Sequence, residues 1–266
     1  MTKRTLSEIW IYPIKSLGGI RLPSAQVMPK GLRYDRRWML IDEANVFLTQ
    51  RIHSRMAFFK LSLSGDQFMI NYKNDSINLS VNAPVSINPI DATLWDDVVK
   101  VYEVQGEYSQ WFSQRLGINC RLVYFPEENL RPVDEKYSLV DDQVSLADGY
   151  PYLIVGQRSL DDLNSRLKNP ILMNRFRPNF IFTGGTPYEE DNWHNFKIGK
   201  SLFAGAKPCS RCVLTTINQE TAEKGAEPLA TLTTYRKIDN KIFFGQNLLA
   251  LEYYEIHEGD EINLEV

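Results

Sequence analysis

Short alternating runs of apolar and polar residues dominate the chain. Ser7-Glu8-Ile9-Trp10-Ile11-Tyr12-Pro13-Ile14 is rich in β-branched and aromatic residues and predicts a strand. Gly31 to Ile41 predicts another. Alternation across it would put Arg36 and Trp38 on one face and Arg37 and Met39 on the other. Residues 58–104 read as a series of short strands, with turn signals at Ser64-Gly65-Asp66, Lys73-Asn74-Asp75, Asn88-Pro89 and Trp95-Asp96-Asp97. The period changes at Tyr108 to Leu116, where Trp111, Phe112 and Leu116 recur at helical spacing and Gly117 supplies a stop. In the second half, Tyr152 to Val155 predicts an apolar strand, and Ser159 to Leu167 a helix with Ser159 as N-cap. Phe180 to Phe182, Val213 to Ile217 and Glu261 to Val266 read as further strands, the last after a Gly259-Asp260 turn. The two prolines bounding Pro126 to Pro132 mark a linker, which divides the chain into 1–125 and 126–266. The pattern predicts mostly β structure with a few helices, an α+β fold.

Composition narrows the class. The chain has 266 residues, 43% hydrophobic and 24% charged, with a formal net charge of -3. That is ordinary for a soluble globular protein and argues against a general nucleic-acid binder. No apolar run approaches the length of a membrane span. The apolar part of the start, Ile9 to Ile14, is short and interrupted by Pro13, so it does not read as a signal peptide. Three cysteines make no disulfide framework and point to a reducing, cytoplasmic setting. His53, His194 and His257 are widely spaced and, with Cys209 and Cys212, form no zinc pattern. Three cysteines cannot ligate a four-cysteine iron–sulfur cluster. There is no Gly-x-Gly-x-x-Gly fingerprint and no Gly-x-Ser-x-Gly elbow. Any redox chemistry would therefore draw its electrons from another chain.

The densest chemistry is Lys207-Pro208-Cys209-Ser210-Arg211-Cys212. Two cations beside a thiol favour the thiolate, the form that binds metal, and Pro208 stiffens the backbone beside the sulfur. The stretch reads either as one soft ligand for a metal or as two half-buried cysteines at a loop-to-strand junction. Lys15-Ser16-Leu17-Gly18-Gly19 offers an ammonium, a hydroxyl and exposed amides, which suits an anion-holding loop or a plain turn. One arginine of the pair Arg36-Arg37 should face the interior and need an anionic partner, either Asp35 or a ligand phosphate. Arg177, held extended by Pro178, would share a side with Asn179, making an oxyanion clamp or a pair of loop caps. Glu189-Glu190-Asp191-Asn192-Trp193 reads as a solvated acidic loop, and Asp161-Asp162 as helix-start charges.

Taken together, these stretches resemble a known family. Tyr12-Pro13-Ile14-Lys15-Ser16, Asp35-Arg36-Arg37-Trp38, Ala147-Asp148-Gly149-Tyr150-Pro151, Ser159-Leu160-Asp161-Asp162-Leu163-Asn164, Phe176-Arg177-Pro178-Asn179 and Cys209-Ser210-Arg211-Cys212-Val213-Leu214-Thr215-Thr216 occur in the order seen in MOSC superfamily proteins that carry a MOSC N-terminal β-barrel domain. Thr234-Tyr235-Arg236 and Phe244-Gly245-Gln246 fit too. The similarity extends to amidoxime reducing components and bacterial reductases of N-hydroxylated compounds. It implies an N-terminal β-rich domain packed on a C-terminal MOSC β-barrel, with a molybdenum cofactor between them. By resemblance, Cys209 is the thiolate ligand to molybdenum, and Lys15, Ser16, Arg36, Arg177 and Asn179 hold the pterin and its phosphate. Cys212 is structural, and Asp191 lies in an acidic loop at the cofactor mouth with a substrate or proton role. A soft thiolate suits such a metal, and Lys and Arg suit its anionic phosphate. The implied activity is reduction of small N-hydroxylated substrates with electrons from a separate ferredoxin-, flavodoxin- or cytochrome-type protein. Two other classes stay open: a carrier of the cofactor or of sulfur without turnover, and a β-barrel interaction protein.

Overall fold

The computed structural model describes residues 3–264. Its centre is a closed barrel of seven strands. In order around the ring they are Tyr152–Gly156, Phe180–Thr183, Arg4–Ile11, Glu261–Asn263, Asn195–Ile198, Ser201–Ser210 and Lys241–Ala250. The last of these pairs back antiparallel with the first, Tyr152 opposite Leu248, and so removes the open edges. One stave comes from the start of the chain. Arg4–Ile11 lies between Phe180–Thr183 and the final strand, with Thr5 opposite both Thr183 and Glu261.

The barrel is filled from the inside by large side chains. Leu6, Ile9, Tyr152, Ile154, Phe180, Phe182, Phe196, Ile198, Phe203 and Leu248 are all buried in one cluster. Tyr152–Gly156 and Phe180–Thr183 run parallel and therefore need a crossover. The helix Gln157–Arg166 provides it, burying Leu160 and Leu163 beside Val155 and Ile181. Its N-cap is Gly156, and Ser159 does not cap it. The Ser159 hydroxyl instead donates to the buried carboxylate of Glu190 at 2.8 Å and accepts the Tyr188 N–H at 2.8 Å.

Ile20–Leu22 pairs with the first stave, and the other strands up to Tyr124 form smaller sheets. A four-stranded sheet runs in the order Trp38–Ile41, Arg121–Tyr124, Asp97–Glu103, Ile90–Leu94. Trp38–Ile41 is buried on both faces, Trp38 and Leu40 in the main core and Met39 and Ile41 in a second one. Phe59–Ser64, Gln67–Tyr72 and Asp75–Ser80 form a meander whose turns fall at the expected Gly65 and Asn74. The helix Tyr108–Leu116 ends at Gly117 in the left-handed region, and Phe112 and Trp111 pack on Phe59.

Other expectations change as well. The strand begins at Trp38, because Arg36 is left-handed at φ 49°, so face alternation does not reach back to it. Arg177 is also left-handed, at φ 56°, and not extended before Pro178. Val213–Thr216 is a 3-10 turn, while the strand Ser201–Ser210 carries Cys209 itself. The final strand is Glu261–Asn263, and Val266 lies outside the described residues. No helix among the described residues is long and apolar enough to cross a membrane.

Candidate functional site

A cleft of about 280 Å³ opens where the end of Ser201–Ser210 meets the loops following Arg4–Ile11 and preceding Trp38–Ile41 and Phe180–Thr183. Lys15, Ser16, Arg36, Arg177, Asn179 and Cys209 all line it. Three of these residues, Ser16, Arg36 and Arg177, are held at φ 67°, 49° and 56°. Left-handed backbone at residues with side chains costs free energy and concentrates at functional sites.

One wall is built around Tyr12. Arg36 and Arg177 lie over its ring, 4.3 and 4.2 Å from the centroid. Arg36 Nη1 donates to Asp35 Oδ2 at 2.5 Å and to Asn179 Oδ1 at 3.2 Å, and Nη2 donates to the Arg177 carbonyl at 3.1 Å. Asp35 is fully buried and also accepts the Tyr12 N–H at 2.7 Å, so it is the structural partner that a buried guanidinium requires. Asn179 accepts from Leu153 N–H at 3.2 Å and donates to the Trp10 carbonyl at 3.1 Å. Its amide is thus spent on the scaffold and on aiming Arg36. Arg177 Nη1 donates to the Leu17 carbonyl at 2.6 Å. Burial pulls the Arg177 guanidinium down to about 10 and pushes the Tyr12 phenol up to about 12.

The opposite wall holds Lys15. Its ammonium is buried and donates to the Leu146 carbonyl at 2.8 Å and to Asp148 Oδ1 at 2.6 Å. Burial lowers it to about 8, and the Asp148 carboxylate works against that. Asp148 also pairs with Arg51 at 3.0 Å and accepts from Trp95 Nε1 at 3.2 Å, while Arg51 stacks on Trp95 at 4.2 Å. Asp148, Arg51 and Trp95 were absent from the sequence-based site. Asp148 was visible only within the motif Ala147 to Pro151, and nothing in the sequence shows that it meets Arg51.

At the third wall Arg211 Nη1 reaches Cys209 Sγ at 2.9 Å, and Nη2 donates to the Phe176 carbonyl at 2.6 Å. Of the two flanking cations, only Arg211 addresses the sulfur. Lys207 is turned onto the rings of Tyr137 and Tyr150, at 4.2 and 4.9 Å. Cys212 also lines the cleft. Cys120 lies elsewhere, buried against Ser113, its thiol pushed up by burial.

Asp191 is not brought to this cleft; its carboxylate pairs with Arg236. Nor is its segment a solvated loop, since Glu190 and Trp193 are buried.

The donor set suits an anionic group beside a soft metal. Lys15, Arg36, Arg51, Arg177, Lys207 and Arg211 line the cleft, against the carboxylate of Asp148. Arg51 Nε, Arg211 Nε and the Tyr150 hydroxyl are buried atoms of lining residues and have no hydrogen-bond partner. Unmet donors on this scale call for an acceptor. Among the described residues no three His, Cys, Asp or Glu side chains cluster as a metal cage. A metal here would therefore be tied to the protein by thiolate and bring its remaining ligands with it.

Barrel and cleft together define a protein that gathers several cations beside a cysteine sulfur at a barrel mouth. The MOSC domain profile matches residues 141–263, and the MOSC N-terminal beta barrel domain profile matches residues 3–119. The chain belongs to the MOSC family. It is 32% identical over 277 residues to mouse mitochondrial amidoxime-reducing component 1, covering 98% of this chain and 80% of that one. The human protein of that name is 31% identical over 280 residues, covering 98% and 81%. Rice molybdenum cofactor sulfurase is 30% identical over 276 residues, covering 96% of this chain and 33% of the sulfurase.

Proposed function

We propose that the cleft holds a molybdenum cofactor and that the chain reduces N-hydroxylated compounds with electrons from a separate ferredoxin-, flavodoxin- or cytochrome-type protein. The observation that carries this reading is Cys209. Its sulfur, held by Arg211 at 2.9 Å, belongs to the same cleft as the cations of Lys15, Arg36 and Arg177. Cys209 would ligate the metal. Lys15, Ser16, Arg36 and Arg177 would hold the anionic phosphate, with Arg offering parallel donors, and Asn179 would fix Arg36. When bound, the cofactor would supply the two-electron redox chemistry of the reduction. Similarity to two amidoxime-reducing components over nearly the whole chain supports the substrate class. Asp191, held by Arg236, has no place in this scheme. A reducing, cytoplasmic compartment fits the free thiols.

The test is elemental and pterin analysis of protein made in a pterin-producing host, followed by turnover of an amidoxime with an artificial reductant. We expect molybdenum and pterin together near one per chain. Cys209→Ser should lose both metal and turnover, whereas Cys212→Ser should retain the metal. If the two variants behave alike, the roles assigned to the two thiols are wrong. Similarity to the sulfurase favours a second reading, in which the chain carries cofactor or sulfur without turnover. Bound pterin or persulfide with no amidoxime reduction would select it.

A further inference from the structure

Two donors on one side of the cleft are left over by the proposed function. Lys207 lines the cleft, yet its ammonium meets the faces of Tyr137 and Tyr150 and, among the described residues, no carboxylate. Tyr150 lines it as well, and its hydroxyl has no hydrogen-bond partner. The two tyrosines meet edge to face, 6.3 Å apart, so cation and phenol form one wall. Lys207 and Cys209 are two residues apart on the strand Ser201–Ser210. The pairing of that strand shifts register between Gly205 and Lys207 and again between Pro208 and Ser210, and both side chains line the cleft.

From this we infer that Lys207 and Tyr150 form an anion seat for the far end of the substrate, making the enzyme selective for N-hydroxylated aromatic compounds that carry a carboxylate opposite the N–O group. The inference rests on the reductase reading for its substrate class. The physical basis is its own: an ammonium and a phenolic O–H on one wall are both donors, and an aromatic wall accepts a flat ring. A carboxylate satisfies both donors and adds a charge pair, whereas a neutral compound of the same shape leaves them unmet. Lys207 and Tyr150 act on specificity, away from the reacting atoms.

The experiment compares 4-carboxybenzamidoxime with benzamidoxime on the molybdenum-loaded protein, by calorimetric affinity and by KM with an artificial reductant. The carboxylated compound should bind about tenfold more tightly in the wild type. Added salt should narrow that margin. Lys207→Met should bring the affinity ratio to about one, and Lys207→Arg should restore most of it. Equal affinities in the wild type overturn the seat. So does a Lys207→Met protein that melts earlier but keeps the wild-type ratio, because Lys207 is then only a clip between Tyr137 and the barrel. If neither compound is reduced but the carboxylated one still binds more tightly in a Lys207-dependent way, the seat stands and the reductase reading fails. If both are reduced with equal KM and equal affinity, the reductase reading stands and the seat falls.

Discussion

Glu190 is fully buried, and its carboxylate accepts hydrogen bonds from the Gly156 N–H at 3.0 Å and the Ser159 hydroxyl at 2.8 Å. Its neighbour Asp191 takes the nearby guanidinium of Arg236. Burial raises the Glu190 carboxyl from 4.5 to about 7, with the hydrogen bond from Gly156 opposing. Because the folded-state value lies above the unfolded one, folding takes up a proton between them. The contribution is fully present below the unfolded value and is lost as pH rises through the folded one. Stability should therefore fall between pH 4.5 and about 7, by ~3 kcal/mol if this group acted alone. Thermal melts across that range check it. Glu190→Gln should flatten the profile and raise the melting temperature at pH 8. A wild-type profile that is flat or rises between those limits would refute the assignment. At this scale the sequence was legible only where chemistry was local. The cysteine at 209 and the arginine at 211 announced themselves, because a single residue separates them. The faces of Arg36 and Arg177 were misread, because parity holds only along unbroken extended backbone, and a left-handed arginine leaves no mark in the sequence. Glu190 read as a surface charge, because nothing in an acidic run says which member turns inward.

Among the elements, the strand Ser201–Ser210 carries the most. It pairs with Asn195–Ile198 on one side and Lys241–Ala250 on the other, and presents Lys207 and Cys209 to the cleft near its end. Gly205 lets it pass close to the preceding segment: its N–H donates to the His194 carbonyl at 2.6 Å, and a Cβ there would overlap the Trp193 carbonyl oxygen. Neither atom can give way, because Trp193 is buried and backbone is the obstacle. Gly205→Ala should destabilise the protein by about 2 kcal/mol or more and displace the cleft end of the strand. Denaturant melts measure the first effect, and metal content measures the second. Full stability with normal metal content would show that the segment at Trp193 yields. Strands and helices were the most legible level. Alternation marked the meander over residues 59–80, and the spacing of Trp111, Phe112 and Leu116 marked the helix that buries them. The apolar run after Cys212 failed as a strand because four apolar or β-branched residues fit a 3-10 turn equally well.

At the scale of the whole molecule, the barrel is built from both ends of the chain. Arg4–Ile11 is a stave between Phe180–Thr183 and Glu261–Asn263. The linker placed at Pro126 to Pro132 remains our proposal for where the two sequence segments divide, but the barrel does not respect that division. A fragment spanning 126–266 would lack a central stave and expose two unpaired strand edges. We expect it to be insoluble or unfolded alone, and to recover a dispersed amide spectrum when co-expressed with 1–125. A fragment that folds unaided would show that the neighbouring strands can close the gap. No local pattern could have revealed this pairing, since Thr5 and Glu261 meet across nearly the full length of the chain.

The timing of synthesis follows from that stave. Its partner at 261–263 follows the other staves in chain order, so a nascent chain with only residues 4–250 free of the ribosome lacks that plank. The nascent chain must keep its opening strand shielded until positions 261–263 emerge. Under the proposed function, a cofactor that needs the assembled cleft would enter only once positions 261–263 have joined the barrel.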